Sequence, residues 1–227
     1  MVEEEGWTPV KNKRKRGKQR NQQNGSRIQA NDDVDKSWGV FVVSPDQKVL
    51  LLKHKKRNSF WSFSKGHKEN KDMSDVATAI RELKEESNLV VCKLWKKTET
   101  WEEYCSSATE RNDSGEEPSA FRTFAEQYRY TKHEYRNRQP VYVQVPKKVT
   151  FFVAKTQASS SEVVVNFSKS KGEITGYKWV NLHSTSDQVK ELTTIPGSTR
   201  GKNGMYSQDL ALFKTIKQVI LGTESAF

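Results

Sequence analysis

Three glutamates lie close together in the stretch Arg-Glu-Leu-Lys-Glu-Glu that runs from Arg81 to Glu86. On a helix, at roughly 100° per residue, Glu82, Glu85 and Glu86 would share about a third of the circumference. Like charges at these spacings repel each other, and a hard divalent cation with oxygen ligands, Mg²⁺ or Mn²⁺, would relieve the repulsion. The alternative is a solvated acidic face that binds nothing, and these residues alone do not decide between the two.

The residues around the glutamates predict the helix that positions them. Val76, Ile80 and Leu83 recur at spacings of four and three within residues 74–87, which is typical of an amphipathic helix. Asn88 tolerates the left-handed backbone conformation that ends many helices. The packed stripe would lie on a different side from the carboxylates, so the helix can pack and still present the three acids together.

Apolar, β-branched segments on both sides of this helix predict strands. We place strands at 38–43, 48–53, 60–64, 121–132, 147–155 and 173–182, and a strand with an extension over 90–104. Residues 106–120 are small and polar and predict an inserted loop, 133–140 predict a basic connection, and 159–172 fit a strand or a loop equally well. A closing helix is predicted over 207–221.

The chain is strongly basic, with 39 Lys and Arg against 28 Asp and Glu and a formal net charge of +11. Such a charge favours polyanionic partners, namely nucleic acids, nucleotides or inositol phosphates. Residues 1–36 predict a disordered arm, in which Lys11 to Arg20 hold seven basic residues and no acid. This run could contact RNA, direct nuclear import or simply stay solvated.

Composition also limits the cellular setting. No apolar run approaches the roughly 18 residues needed to span a bilayer, and no apolar segment of a signal peptide follows Met1. The two cysteines, Cys92 and Cys105, cannot form a disulfide framework or a zinc site by themselves. We therefore expect a cytoplasmic or nuclear protein, with no membrane partner.

The segment GHKENKDMSDVATAIRELKEESNL, which begins at Gly66, resembles the Nudix box G-x5-E-x7-R-E-U-x-E-E-x-G-U, where U is a large aliphatic residue. Asn88 replaces the last glycine of that pattern. The loop after Gly66 is one residue too long, so either Asp72 or Glu69 could be the acid that pairs with the arginine. The matching residues are Arg81, Glu82, Leu83, Glu85, Glu86 and Leu89.

The resemblance implies a fold, a reaction and a set of site residues. The fold would be an α/β/α sandwich with a mixed sheet over residues 37–222, and the reaction would be Mg²⁺- or Mn²⁺-dependent hydrolysis of a nucleoside diphosphate linked to another moiety. Carried over by position, Glu82, Glu85 and Glu86 would be metal ligands, together with a main-chain carbonyl of Lys65 or Gly66. The catalytic residues would be Glu82, Glu86, Arg81 and, as general base, Glu173, whose alternative is a surface acid.

Substrate class is suggested by the segment FWSFSKGHKE over residues 60–69, which resembles the W-x-x-P-K-G-H stretch of dinucleoside polyphosphate hydrolases. Ser64 stands in place of the proline. Lys65 and His67 would then contact the substrate, and Tyr128 or Tyr130 would stack on a base. Decapping enzymes share part of the pattern, so an RNA 5′-end pyrophosphohydrolase and a non-catalytic module that binds RNA or protein remain alternatives.

Overall fold

The computed structural model describes residues 29–30, 34–55, 60–91, 93–107, 113–136, 138–194 and 204–222. In these ranges eight strands form one mixed sheet. The strands are β1 (Gln29–Ala30), β2 (Asp35–Val43), β3 (Lys48–His54), β4 (Phe60–Ser62), β5 (Ser64–Gly66), β6 (Thr123–Arg136), β7 (Gln139–Lys155) and β8 (Ile174–Asn181). The helices are α1 (Asp75–Ser87), α2 (Trp101–Ser106), α3 (Ser186–Thr193) and α4 (Ser207–Ile220).

The centre of the sheet is a parallel pair, β2 and β7, flanked by antiparallel neighbours. β2 also pairs with β3 and β5, β3 with β4 and β8, and β7 with β6. Successive side chains of a strand point to opposite faces, so β2 supplies two cores. Val40 and Val42 pack with α1, whereas Phe41 and Val43 pack on the side of α4. Helices thus cover both faces, and the predicted α/β/α sandwich with a mixed sheet is confirmed.

Helix α1 forms where the periodicity predicts it. The Ser74 side chain accepts a hydrogen bond from the main-chain N–H of Ala77, which satisfies one of the unpaired donors at the helix start. Asn88 ends the helix with φ of 58°, the left-handed conformation expected of it. Val76 and Leu83 are fully buried under the sheet. The acidic stretch is therefore held on a rigid, well-capped element.

Three predictions about secondary structure were wrong. Residues 90–104 form only isolated bridges at Leu94 and Lys96 before α2 begins, because Thr100 and Glu103 make a capping box that starts a helix. Most of residues 133–140 are not a connection, since β6 continues to Arg136 and β7 begins at Gln139, and the two strands pair as one hairpin. Helix α3, also started by a capping box, was missed. The 159–172 segment is a loop with one short 3₁₀ turn, at Ser168–Ser170.

The N-terminal boundary also differs from the predicted one. β2 begins at Asp35, and Gln29 and Ala30 pair with Val143 and Gln144 of β7, so the sheet starts before residue 37. The predicted disordered arm otherwise falls on residues 1–28 and 31–33, which lie outside the described residues. The predicted loop at 106–120 contains two 3₁₀ turns, and its residues 108–112 are likewise outside them. No helix in the described ranges is long and apolar enough to cross a membrane.

Candidate active site

Glu82 and Glu86 of α1 lie on the wall of a cavity of about 980 Å³. The cavity opens between α1, the first turn of α4, the loop before β8 and the strands β2, β5 and β6. Its volume is near the top of the range of about 300–1,000 Å³ that is usual for small-molecule sites. The residues that line it include Asp35, Phe60, Lys65, Gly66, His67, Glu82, Glu86, Glu126, Tyr128, Tyr130, Lys147, Glu173, Tyr206 and Asp209.

Glu86 is the most deeply placed of the three box glutamates. It is 6% exposed, and its Oε2 accepts a hydrogen bond of 3.1 Å from the main-chain N–H of Lys65. Burial raises the pKa of Glu86 to about 7, against the opposing effect of nearby donors and of Lys65. The short strand β5 therefore fixes this carboxylate, and any cation that approached it would favour its charged form.

Glu82 explains why residue 66 is glycine. The Glu82 carboxylate lies against the Cα of Gly66, in the space that a Cβ at that position would fill. Its Oε1 is 2.9 Å from Nη2 of Arg81. Burial raises the pKa of Glu82, although Arg81 opposes the change. Gly66, the first residue of the Nudix-like segment, thus leaves room for the Glu82 carboxylate.

Arg81 is the centre of an ion-pair network, and its main partner in that network is Asp72 rather than Glu69. Its Nε lies 2.9 Å from Asp72 Oδ1, and its Nη2 donates to Asp72 Oδ2 and to the carbonyl of His67. Glu69 is farther away, at 3.5 Å, and half-exposed. Burial by itself would raise the pKa of Asp72, but hydrogen bonds from Arg81, the Glu69 N–H and Thr78 hold that pKa below its ordinary value.

This network gives a stability prediction with a matched control. Asp72→Ala is expected to lower the free energy of unfolding by about 3 kcal/mol, because it leaves a largely buried guanidinium without its main partner. Glu69→Ala removes the same charge at an exposed position and should lower the free energy of unfolding much less. Urea unfolding followed by circular dichroism measures both values. Equal losses would contradict the assignment of Asp72 as the structural partner.

The same pair has a defined pH dependence. Because the folded-state pKa of Asp72 is depressed, its stabilising contribution is present above the ordinary value of 3.8 and is lost as the pH falls through the folded-state pKa. The difference in unfolding free energy between wild type and Asp72→Ala should therefore shrink at acidic pH.

Glu85 does not join Glu82 and Glu86 on the cavity wall. Its Oε2 is 3.2 Å from Nη1 of Arg81, and Lys71 lies 3.9 Å from its other oxygen. With Glu82 and Glu85 both turned to Arg81, the described residues contain no group of three His, Cys, Asp or Glu side chains placed to hold a metal ion. The role of Glu85 as a ligand stays a prediction that would require it to leave Arg81.

Two cavity acids were not predicted from the sequence. Glu126 on β6 is 7% exposed, and its Oε1 has no hydrogen-bond partner in the described part of the chain. Burial, with the nearby Asp209 carboxylate, raises the pKa of Glu126 to about 8. Asp209 in the first turn of α4 accepts from Ser62 and lies 3.7 Å from Lys65 Nζ. Alternation along β6 places Glu126 on the core face between Phe124 and Tyr128, and that charged residue at a core position was the available signal.

Although no group of three such side chains is placed to hold a metal ion in the described residues, Glu86 and Glu126 have the donor chemistry that a hard divalent cation prefers. Glu86 and Glu126 offer carboxylate oxygens in a buried place, one oxygen is unpaired, and the main chain of Lys65 and Gly66 borders the same space. Oxygen-only donors are the ligands that Mg²⁺ and Mn²⁺ prefer, and a buried, uncompensated carboxylate is what a cation would stabilise.

The other predicted substrate residues also line the cavity. His67 Nε2 is 2.9 Å from Asp35 Oδ1, and the Tyr130 hydroxyl donates to Asp35 Oδ2 at 3.0 Å. Lys147 Nζ is 2.9 Å from the same Oδ2. Tyr128 is half-buried, and burial raises its pKa to about 12. The cluster forms one side of the cavity.

Glu173 lies at the rim of the cavity, exposed, on the loop that leads into β8. Its carbonyl accepts a hydrogen bond of 2.7 Å from the main-chain N–H of Lys55. The structure thus brings all the predicted site residues except Arg81 and Glu85 to a single cavity, and it adds Glu126, Asp209, Asp35 and Lys147 to them.

Comparisons with known proteins identify the family. A model of the NUDIX domain matches residues 34–197, well over half of the chain. No curated protein matches the sequence. Among solved structures, a C. elegans Ap4A hydrolase binary complex is similar with a TM-score of 0.44 and 18% identity, covering 83% of this chain and 99% of that one. The E. coli dihydroneopterin triphosphate pyrophosphohydrolase is similar with a TM-score of 0.45 and 16% identity, over 84% and 99%. From the family model, the chain belongs to the Nudix family of pyrophosphohydrolases.

Proposed function

We propose that this protein hydrolyses a pyrophosphate linkage in a nucleoside-diphosphate-linked substrate, preferably a dinucleoside polyphosphate, with Mg²⁺ or Mn²⁺. The observation that carries the proposal is the composition of the cavity. Buried acids at its centre adjoin lysines, and aromatic side chains from different elements stand around them. This combination suits a ligand with two bases joined by a chain of phosphates, because the aromatic rings can stack on the bases while the lysines contact the phosphates.

The acids would hold the cation and the reacting phosphate in place. Glu82, Glu86 and Glu126, with a main-chain carbonyl of Lys65 or Gly66, would supply the ligands. A bound divalent cation would neutralise phosphate charge and make a water molecule a better nucleophile. Arg81 would orient the Glu82 carboxylate through the contact described above. Glu173, at the exposed rim, has access to solvent and is the proposed general base.

Aromatic side chains would stack on the bases of the substrate. Phe60 and Tyr206 form one pair, with ring centroids 4.9 Å apart, and Tyr206 is about half-exposed. Tyr128 and Tyr130 of β6 form a second group. Base–aromatic stacking is worth about 1–3 kcal/mol per base. Lys65, His67 and Lys147 would contact the phosphates between them.

A substrate panel tests this proposal. Diadenosine polyphosphates, capped RNA and diphosphoinositol phosphates would each be incubated with the protein and Mg²⁺ or Mn²⁺, and the products separated by ion-exchange chromatography. We expect the diadenosine polyphosphates to give the highest kcat/KM. A clear preference for either of the others would replace the proposed substrate, and no turnover of any would favour a non-catalytic module.

An RNA 5′-end pyrophosphohydrolase is the second candidate. It is favoured by β6, which carries Tyr128 and Tyr130 past the cavity and then continues into exposed basic residues. We further propose a domain that begins near residue 29, where β1 starts, and ends near 222, preceded by the basic arm, in a cytoplasmic or nuclear protein. Seven basic residues between Lys11 and Arg20 would reach an RNA but not a dinucleotide confined to the cavity.

Deleting residues 1–28 distinguishes the two candidates, and it spares β1 and β2. Turnover of diadenosine polyphosphates should be almost unchanged. If RNA is the substrate, binding of capped RNA should weaken about tenfold or more, and its salt dependence should flatten by roughly 0.7 in log–log slope per lost phosphate contact. Filter binding over a series of KCl concentrations measures this. Equal binding by the truncated and full-length chains would show that the arm is not a substrate contact.

A further inference from the structure

The hairpin of β6 and β7 extends past the start of β2, and in the described ranges only the two-residue β1 pairs with it there, at Val143 and Gln144 of β7. β2 begins at Asp35, which is in register with Lys147 of β7, and Lys147 is in register with Tyr128 of β6. Past that point, eight cross-strand pairs run from Arg129↔Pro146 to Arg136↔Gln139. We call residues 129–146 the distal hairpin. At about 3.3 Å per residue it is roughly 25 Å long.

The register gives the distal hairpin two faces of different chemistry. The cavity face continues from Tyr130 and carries Lys132 and Glu134, which form an ion pair of 3.4 Å. The opposite face, here the outer face, is formed by Arg129, Thr131, His133, Tyr135, Pro140, Tyr142, Gln144 and Pro146. Side-chain contacts agree with this register. Gln144 Nε2 donates a hydrogen bond of 2.7 Å to the Thr131 hydroxyl, and the centroids of the His133 and Tyr142 rings are 4.5 Å apart.

The end of the outer face that is farthest from β2 carries exposed aromatic rings. Tyr135 is 78% exposed and Tyr142 is 45% exposed, and His133 beside Tyr142 is exposed as well. These aromatic side chains leave much of their surface to solvent in the isolated protein. They do provide flat surfaces on which planar groups can stack.

Unpaired cations mark the other end of the outer face. Lys148 pairs with Gln127, which is two residues before Arg129 on β6, so Lys148 and Arg129 are on the same face of the hairpin. Lys36 of β2 is in register with Lys148. All three side chains are exposed, and within the described ranges none has a hydrogen bond or ion pair. Like charges side by side across strands are destabilising. The only acid of the distal hairpin, Glu134, is on the opposite face.

We infer that the outer face, with Lys36 and Lys148, is a docking surface for single-stranded RNA. The three cations, on neighbouring positions of adjacent strands, would neutralise phosphates, and the three rings can stack on unpaired bases. A duplex keeps its bases stacked and unavailable, and RNA is the nucleic acid whose bases are ordinarily splayed in loops and single strands. This inference goes beyond the proposed hydrolysis, because the surface lies on the other face of the hairpin from the cavity residues Tyr130 and Lys147.

The test measures binding of an RNA that the cavity cannot hydrolyse. A 3′-labelled oligouridylate of about 12 nucleotides with a 5′-hydroxyl is titrated with full-length protein, and its anisotropy is followed from about 50 to 200 mM KCl. Arg129→Ala and Lys148→Ala should each weaken binding about threefold or more and reduce the log–log salt slope by roughly 0.7. Tyr135→Ala/Tyr142→Ala should weaken it about tenfold without changing the slope.

Lys132→Ala is the matched control, because it removes one positive charge from the same strand on the opposite face. It should change affinity less than about twofold. Every variant keeps residues 1–28, so any contribution from Lys11 to Arg20 is common to all, and thermal melting by circular dichroism confirms the fold. The readout does not depend on catalysis, so it stands apart from the outcome of the substrate panel.

Three results would overturn the inference. The first is no saturable binding by the wild-type protein. The second is an equal loss in Lys132→Ala and Arg129→Ala, which would show a general charge effect. The third is a combination of two observations: an unlabelled RNA duplex or an anionic phospholipid vesicle competes as well as unlabelled oligouridylate does, and the tyrosine variant binds normally. Together these would show a surface that binds polyanions of any kind.

Discussion

Glu86→Gln is expected to lower kcat by about 10²–10⁴-fold, a loss of roughly 3–5 kcal/mol of transition-state stabilisation. The carboxylate is nearly buried at the centre of the cavity, next to the main chain of Lys65. Glutamine has the same shape and can still accept the hydrogen bond from the Lys65 N–H, so the fold should survive. What it lacks is the negative charge that would hold a divalent cation.

The measurement is the initial rate of hydrolysis of the best substrate from the panel at saturating Mg²⁺, with circular dichroism as the test of folding. Glu102→Gln is the control, because it removes the same charge from an exposed position on α2 outside the cavity. It should leave the rate unchanged. A natively folded Glu86→Gln protein with activity within about threefold of wild type would remove the proposed cation site.

The elements that could be predicted are those whose local signals agree with their packing. Helix α1 has a capping serine, an apolar stripe and a residue suited to a left-handed end, and each of these appears at the position that the sequence indicates. The Nudix pattern could be recognised because Arg81, Glu82, Glu85 and Glu86 are on one helix, whose geometry fixes their spacing, whereas the loop between Gly66 and that helix tolerates an extra residue.

The elements that were missed show where local signals compete. The aromatic residues Trp95, Trp101 and Tyr104 favour a strand, but they pack as a cluster under the start of α2, whose capping box decides the conformation. In the distal hairpin the charged residues indicate a loop, yet strands exposed on one face accept such residues without cost. Local composition cannot show which strand has an exposed face.

The site was predicted in part for a related reason. Residues within the box are close in sequence, whereas Glu126 and Asp209 reach the cavity from β6 and α4. Only the folded chain brings them to Lys65. The choice between Asp72 and Glu69 likewise needed geometry, because the long loop after Gly66 places both acids near Arg81 and burial separates them.

Glu126→Gln is the second large expected effect, with kcat lower by about 10²-fold and a weaker affinity for Mn²⁺. The reason is the buried position of this carboxylate beside Lys65 and Asp209, with one oxygen unpaired. Because that charge faces another acid and makes no hydrogen bond through Oε1, its removal should leave the free energy of unfolding unchanged or raise it. A role in folding alone would give the opposite result.

Comparison with Glu173→Gln separates cation binding from proton transfer. If the rim residue Glu173 is the general base, its replacement should lower kcat and flatten the acid limb of the pH–rate profile, while the affinity for Mn²⁺ measured by calorimetry stays constant. Glu126→Gln should weaken that affinity instead. If Glu126→Gln binds Mn²⁺ normally and flattens the acid limb, whereas Glu173→Gln changes neither, then the general base is Glu126 and Glu173 is a surface acid. The buried acid would in that case act on the water itself, and the burial that raises its pKa would make its carboxylate, once deprotonated, a stronger base than an exposed one.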